Sequence, residues 1–186
     1  TLAVLGKSGN KLCSLLALFE LIRHNQPKRA KTSKNERRQT MSEREYDVVI
    51  VGAGFAGMYL LHRVRKLGMR ARVLEAGSDV GGTWYWNRYP GARCDVESMQ
   101  YSYQFDDDLQ QEWSWSERYS PQPEILKYAQ HVSERYDLRR DIDFNTRVTS
   151  AAYDEDSARW TLTSEDGEKT VGHYFVMATG WLSAPN

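Results

Sequence analysis

The stretch Tyr46-Asp-Val-Val-Ile-Val-Gly-Ala-Gly-Phe-Ala-Gly57 decides the fold of this 186-residue chain. Its apolar run Val48–Val51 predicts a strand that is buried on both faces. Three glycines follow at the spacing G-x-G-x-x-G: Gly52, Gly54 and Gly57. In this fingerprint the first glycine permits a tight turn, the second lets a pyrophosphate approach, and the third lets a helix pack closely. The N-terminus of that helix then offers N–H groups and partial positive charge to phosphates.

The residues after the glycines complete a strand–helix–strand unit. Apolar residues at helical spacing predict a helix; they are Met58, Leu60, Leu61, Val64 and Leu67. Gly68 is expected to end this helix, and Arg70–Leu74 is expected to form the next strand. Glu75 then lies where the fingerprint expects an acid for a ribose hydroxyl, about 20 residues after the first glycine. A glycine-rich turn with a solvated glutamate is the alternative, but strand, glycines, helix and acid all favour a dinucleotide site.

The second half of the chain predicts a helix followed by a small antiparallel meander. Phe105–Ser116 is acidic and aromatic and is expected to hold a short helix, and Gln122–Tyr136 has the pattern of a longer one. Three strand-like runs follow, Arg147–Tyr153, Arg159–Thr163 and Thr170–Met177, with turn residues between them. The predicted fold class is therefore α/β: a Rossmann-like parallel sheet with helices, plus a small antiparallel β-meander.

Basic residues are concentrated in residues 1–40, which hold nine Lys and Arg against Glu20 and Glu36. The remaining residues hold 16 basic and 23 acidic side chains, which argues against nucleic acid as a partner of the folded part. We expect 1–40 to be a disordered extension and 41–186 to be the folded unit, with Met41 as the natural start. A basic tail that binds nucleic acid or a membrane, or directs the chain to an organelle, is the alternative. The apolar run Leu12–Ile22 is too short to span a membrane, so no membrane partner is expected.

The cysteines and histidines of the sequence do not have the spacing of metal ligands. Cys13 and Cys94 form no C-x-x-C pair, which argues against a disulfide reductase and a zinc site and fits a cytoplasmic location. No metal is predicted. His62 lies beside Arg63 on the first predicted helix and is expected to be solvated. Trp113 and Trp115 are expected to serve in packing.

The segment Gly81–Tyr101 has no clean helical or strand period and is dense in Gly, Trp, Tyr and Arg. That composition predicts an ordered functional loop. Gly81 and Gly82 permit a ligand to approach the backbone. The aromatic side chains offer flat surfaces for rings, and Arg88 and Arg93 offer forks for phosphates.

The sequence of that loop resembles a known family. Gly81-Gly-Thr-Trp-Tyr-Trp-Asn-Arg-Tyr-Pro-Gly-Ala-Arg-Cys-Asp-Val-Glu-Ser98 is similar to the flavin-contacting loop of type I Baeyer–Villiger monooxygenases. The Arg-Cys-Asp form at residues 93–95 resembles the phenylacetone and steroid monooxygenase branch more than the cyclohexanone branch. The resemblance extends over Tyr46–Pro185 and includes Gln111–Arg118 and Met177–Gly180.

The resemblance implies FAD and NADPH as cofactors, and O2 and a small ketone as substrates. In this family a peroxide formed at C4a of the reduced flavin attacks the ketone, and an ester or lactone forms. The implied FAD contacts are Gly52, Gly54, Phe55, Ala56 and Gly57 at the pyrophosphate, Glu75 at the ribose, Val148 at the adenine, and Gly82, Thr83, Trp84, Tyr85, Trp86 and Tyr101 along the flavin. Arg93, Cys94 and Asp95 are implied at the nicotinamide side. Asp95 is the implied catalytic carboxylate, paired with an arginine expected beyond Asn186.

The resemblance also implies an N-terminal part of a larger FAD-binding domain. The family signature F-x-G-x-x-x-H-x-x-x-W and a second glycine fingerprint for NADPH are expected after Pro185. We therefore expect the 186-residue chain to be inactive by itself. Two alternatives stay open: a related N- or S-oxygenating flavin monooxygenase, and a truncated, non-catalytic nucleotide-binding chain.

Overall fold

The computed structural model describes residues 3–5 and 44–182, and the elements below belong to those ranges. The strands are β1 (Ala3–Leu5), β2 (Arg44–Val51), β3 (Ala71–Leu74), β4 (Ile142–Asp143), β5 (Val148–Asp154), β6 (Arg159–Ser164) and β7 (Lys169–Met177). The helices are α1 (Phe55–Lys66), α2 (Thr83–Trp86), α3 (Asp107–Glu112) and α4 (Gln122–Arg135). Short 3-10 turns cover Ser98–Tyr101 and Arg139–Asp141. Apart from β1, the expected disordered extension over 1–40 lies outside the described residues.

The strands form one mixed sheet in the order β4-β3-β2-β7-β6-β5. β2 is parallel to both of its neighbours, with Ile50 opposite Val73 on one side and Val176 on the other. β5, β6 and β7 are antiparallel to one another. β1 pairs antiparallel with the last residues of β7, Phe175–Met177. The predicted α/β class, with a Rossmann-like parallel part and a β-meander, is confirmed.

The helix after the glycines packs on the sheet as its sequence predicts. The buried residues of α1 are Gly57, Met58, Leu60, Leu61, His62 and Val64. Four of them, Met58, Leu60, Leu61 and Val64, join residues of β2, β3 and β7 in the main core. Gly68 follows the helix with φ of 75°, a left-handed conformation that a glycine adopts without strain. This unit brings the end of β2, the start of α1 and the end of β3 to one edge of the sheet.

An aromatic layer covers the outer face of α1 and corrects one expectation. His62 was expected to be solvated, and that is wrong: it is 7% exposed. Its ring stacks on Phe105 and meets Tyr136 edge-on, each with centroids 4.6 Å apart. Trp113 and Trp115 pack against Tyr128 of α4, as expected of packing residues.

Candidate dinucleotide-binding site

The glycine loop is closed around the end of the sheet. Gly52 has φ of 104°, and a Cβ there would lie 2.6 Å from the Ala178 carbonyl oxygen. A Cβ on Gly57 would lie 1.9 Å from the Gly52 oxygen. Any side chain at either position would collide with backbone, so these two glycines are required by the fold itself.

Gly54 and Gly82 have a different role, because they line open space. A Cβ on Gly54 would meet Gly82 Cα at 3.4 Å, close to ordinary contact. Gly82 has φ of 55°, and its Cβ would meet Gly54 Cα at 2.8 Å. Two backbones therefore pass close to each other here, and both border the cavities described next.

Two cavities adjoin at this crossing. The larger cavity has a volume of about 500 Å³ and is lined by residues 54–56, 81–84, 100–103, 178–180 and 182. The smaller cavity has a volume of about 270 Å³ and is lined by residues 51, 52, 54, 74–76, 82, 86, 146–148, 178 and 179. They share Gly54, Gly82, Ala178 and Thr179. An elongated ligand could therefore extend from one cavity into the other across the glycine loop.

The N-terminus of α1 faces the larger cavity. The first bond within the helix runs from the Met58 N–H to the Gly54 oxygen at 3.0 Å. The N–H groups of Phe55, Ala56 and Gly57 precede that bond and have no acceptor within the helix. The first turn contains no acidic residue. This end of α1 is thus electrostatically suited to an anion.

Glu75 is buried beside the loop, with 4% of its surface exposed. Its Oε2 accepts the Ala53 N–H at 2.5 Å, and its Oε1 accepts the Gly77 N–H at 2.7 Å. These charge-assisted bonds compensate for the burial of the carboxylate and tie the end of β3 to the glycine loop. A carboxylate has about four acceptor sites, so capacity is left towards the smaller cavity that Glu75 lines.

Helix α2 and the turn at Tyr101 form the aromatic side of the site. Thr83, Trp84 and Tyr101 line the larger cavity, and the ring of Tyr101 meets that of Trp84 edge-on with centroids 5.5 Å apart. The Trp84 carbonyl accepts a hydrogen bond from the buried Gln122 amide. Burial, and then the neighbouring Cys94 and Asp95, raise the pKa of Tyr101, which therefore remains a protonated phenol at neutral pH.

Two aromatic residues of α2 lie away from the larger cavity. Trp86 is 41% exposed and lines the smaller cavity with Glu75 and Val148. Tyr85 lines neither cavity: its hydroxyl is 2.8 Å from Ser78 Oγ and accepts the Ser78 N–H at 3.1 Å. Its ring lies under the Arg88 guanidinium, 4.6 Å from the centroid.

The Arg93–Asp95 turn is fixed by the segment that precedes α4, and it also lines neither of these two cavities. Arg93 forms an ion pair with Glu117 at 3.0 Å and donates to the Tyr119 oxygen at 2.9 Å. Cys94 is buried, and its N–H donates to the Ser120 oxygen at 3.2 Å. Asp95 is exposed.

The structure therefore divides the predicted residues into two groups. Those that line the two cavities are Gly52, Gly54, Phe55, Ala56, Glu75, Gly82, Thr83, Trp84, Trp86, Tyr101 and Val148. Those that do not are Gly57, Tyr85, Arg93, Cys94 and Asp95. Several lining residues had no predicted role: Gln100, Ser102, Tyr103, Thr146, Arg147, and 178–180 after β7. The strand-like run Thr170–Met177 is a usable signal for 178–180, since ligands bind at the carboxyl ends of parallel strands.

Within the described ranges 3–5 and 44–182, no group of three or more His, Cys, Asp or Glu side chains is arranged to hold a metal ion. None of the helices in those ranges combines the length and the apolar composition needed to cross a membrane.

The chain is similar to known proteins over most of its folded part. Residues 50–113 match the model of the NAD(P)-binding Rossmann-like domain. Acetone monooxygenase (methyl acetate-forming) of Gordonia sp. strain TY-5 is 48% identical over 145 residues, which is 78% of this chain and 27% of that protein. Phenazine N-monooxygenase PhzNO1 of Lysobacter antibioticus is 48% identical over 139 residues, 74% of this chain and 26% of that protein. A Baeyer-Villiger monooxygenase of Pseudooceanicola batsensis is 45% identical over 143 residues, 76% and 26% of the respective chains.

Solved structures agree with these relatives. Oxidized steroid monooxygenase bound to NADP superposes with a TM-score of 0.74 at 58% identity, over 76% of this chain and 27% of that one. The chain thus spans about a quarter of the length of the proteins that it matches. In sequence and in fold, the chain is related to the Baeyer–Villiger monooxygenases.

Proposed function

We propose that this chain is the FAD-binding portion of a monooxygenase that uses NADPH and O2 to convert ketones to esters or lactones. The observation that carries the proposal is the pair of adjoining cavities, with the N-terminus of α1 at one and the buried Glu75 carboxylate at the other. We place the protein in the cytoplasm, because Cys13 and Cys94 form no C-x-x-C pair and fit a reducing compartment.

The residues present fit FAD. The pyrophosphate would lie over Gly54, between the N–H groups of α1 and the backbone of Gly82, in space that a Cβ would occupy. The ribose and adenine would occupy the smaller cavity, at Glu75 and Val148. We assign Trp86 to this adenosine side, because it lines the same cavity. The flavin ring would lie in the larger cavity along Thr83, Trp84 and Tyr101. We assign Tyr85 and Gly57, which line neither cavity, to the fold of the site and not to contact with FAD.

When bound, FAD supplies the chemistry of hydride acceptance and oxygen activation. The chain's own residues bind and orient it. The helix end and Glu75 fix the pyrophosphate and ribose, while the aromatic wall of Trp84 and Tyr101 shields the flavin side from water. Asp95 is the proposed catalytic carboxylate at the NADPH side, beside Arg93 and Cys94. Since it is exposed, a cation from a segment outside the described residues can reach it.

A second candidate function is oxygenation of a ring nitrogen. The phenazine N-monooxygenase relative is as similar in sequence as the acetone monooxygenase, at 48% identity. Because both relatives would bind flavin through the same fingerprint, the cavities of this chain do not separate the two reactions.

The experiment uses the complete protein that contains this chain, purified with its flavin. It is supplied with NADPH, O2 and either small ketones or phenazine-type heterocycles, and products are analysed by mass spectrometry. Ester or lactone coupled to NADPH oxidation is the expected result. An N-oxide without ester would establish the second candidate, and a protein that binds no flavin would show the chain to be non-catalytic.

A further inference from the structure

Tyr103 connects Tyr128 of α4 to Phe55 at the start of α1. Its hydroxyl donates to the Phe55 carbonyl oxygen at 2.5 Å. Its own backbone N–H donates to the Tyr128 hydroxyl of α4 at 2.8 Å. The Tyr103 ring packs against Phe55 with centroids 5.5 Å apart and against Tyr59 at 6.1 Å. Tyr103 is therefore held from the α4 side and acts on a peptide of α1.

The peptide on which it acts carries a donor of the candidate site. The Phe55 carbonyl and the Ala56 N–H belong to one peptide unit. Ala56 lines the larger cavity, and its N–H is among those without an acceptor within α1. A hydrogen bond to the carbonyl of a peptide polarises the whole unit, so its N–H becomes a stronger donor.

We infer that Tyr103 is a positioning residue for the pyrophosphate of the dinucleotide: its hydroxyl orients and polarises the Phe55–Ala56 peptide, so that the Ala56 N–H donates to a phosphate oxygen. The inference rests on the proposed FAD site and adds to it a residue that acts through the Phe55–Ala56 peptide. Burial raises the pKa of the Tyr103 phenol well above its usual value, so the hydroxyl keeps its proton at any working pH.

The test is the variant Tyr103→Phe in the complete protein, because it keeps the ring and removes only the hydroxyl. The matched control is Tyr59→Phe, which removes a hydroxyl from a tyrosine of α1 that stacks on Tyr103. Each protein is stripped of flavin and titrated with FAD. The dissociation constant is expected to rise about three- to tenfold in Tyr103→Phe, the factor for one lost neutral hydrogen bond. It is expected to be unchanged in Tyr59→Phe.

A second readout separates positioning from general loosening of the fold. The ³¹P resonances of bound FAD are expected to shift in Tyr103→Phe and to stay in place in Tyr59→Phe, while the flavin absorption spectrum stays the same in both. Identical ³¹P resonances and affinity in wild type and Tyr103→Phe would overturn the inference alone. Failure of the wild type to bind FAD would overturn the proposed function with it.

If Tyr103→Phe does not fold, the wild type tests whether the Ala56 N–H, which Tyr103 is inferred to orient, donates to phosphate. The backbone amide proton of Ala56 is then followed by NMR during FAD addition. It is expected to move downfield as it donates to phosphate. An Ala56 resonance that does not respond to FAD would contradict the inference.

Discussion

At the scale of single residues, the glycines of the fingerprint separate into those that the fold requires and those that the ligand requires. We expect Gly54→Ala to fold, because its Cβ would meet Gly82 Cα at 3.4 Å, but to weaken FAD binding by roughly 1–3 kcal/mol through overpacking of the cavity. Gly57→Ala is expected to destabilise the fold, because its Cβ would lie 1.9 Å from the Gly52 oxygen. Urea denaturation and FAD titration measure both. A Gly57→Ala protein as stable as Gly54→Ala would contradict the assignment.

Glu75 is both a structural and a ligand-binding residue. Its removal leaves the N–H groups of Ala53 and Gly77 without their acceptor, so Glu75→Ala is expected to lower the free energy of unfolding by about 1–3 kcal/mol. FAD affinity is expected to fall as well, since the ribose loses its acceptor. Glu155→Ala, in an exposed turn, removes the same charge as a control. FAD affinity and stability that match the control would argue against both roles.

At the scale of elements, the packing of Phe105, which precedes α3, and of Tyr136, which follows α4, on His62 of α1 makes stability depend on pH. Burial lowers the pKa of His62, and Lys66, Arg63 and Arg65 lower it further, while Asp106 acts in the opposite direction. The unfolded chain therefore binds a proton at higher pH than the folded one. Stability is fully present above the unfolded pKa of about 6.5 and falls as pH decreases below it, by at most about 1.4 kcal/mol per pH unit.

The variant His62→Phe tests this, because it keeps an aromatic ring beside Phe105 but does not titrate. Urea midpoints at pH 7.5 and 5.5 are compared. The wild type is expected to lose more stability between these values than the variant does. Some dependence remains in the variant, since burial also lowers the pKa of His173. Equal losses in the two proteins would show that His62 is not the group that titrates.

Elements with a strong local pattern could be predicted from the sequence, and those without one could not. The helix after the glycines and the helix at 122–135 have helical repeats long enough to identify, and the strand at Val48–Val51 has a continuous apolar run. Helix α2 has four residues and β4 has two, which is too short for any period. His62 was misjudged because its cover comes from Phe105 and Tyr136, far along the chain.

The residues of the candidate site also fall into those that the sequence could predict and those that it could not. The fingerprint and Glu75 could be predicted because their spacing is local. Thr146 and Ala178 reach the site only through the pairing of β4 with β3 and of β7 with β2, which no local pattern encodes. The resemblance of the loop implies a flavin contact for Tyr85 as for its neighbours, yet α2 places the Tyr85 hydroxyl beside Ser78.

At the scale of the whole molecule, the described part exposes large apolar side chains. Trp181 is 79% exposed, Met99 75%, Leu182 66% and Tyr89 63%. The sequence holds one G-x-G-x-x-G fingerprint. We therefore expect the 186-residue chain, expressed by itself, to be poorly soluble, to hold less than one FAD per chain, and to show no NADPH-dependent oxygen uptake. An oxygen electrode and flavin absorbance measure this, and catalytic ester formation by the chain alone would contradict it.

One FAD molecule is proposed to lie across the two adjoining cavities in a single direction, and a crystal structure of the complete protein with FAD tests this placement. We expect pyrophosphate oxygens within hydrogen-bond distance of the α1 N–H groups, a ribose hydroxyl on Glu75, adenine beside Val148, and the flavin ring along Trp84 and Tyr101. FAD bound in the reverse direction, or elsewhere on the protein, would contradict this placement.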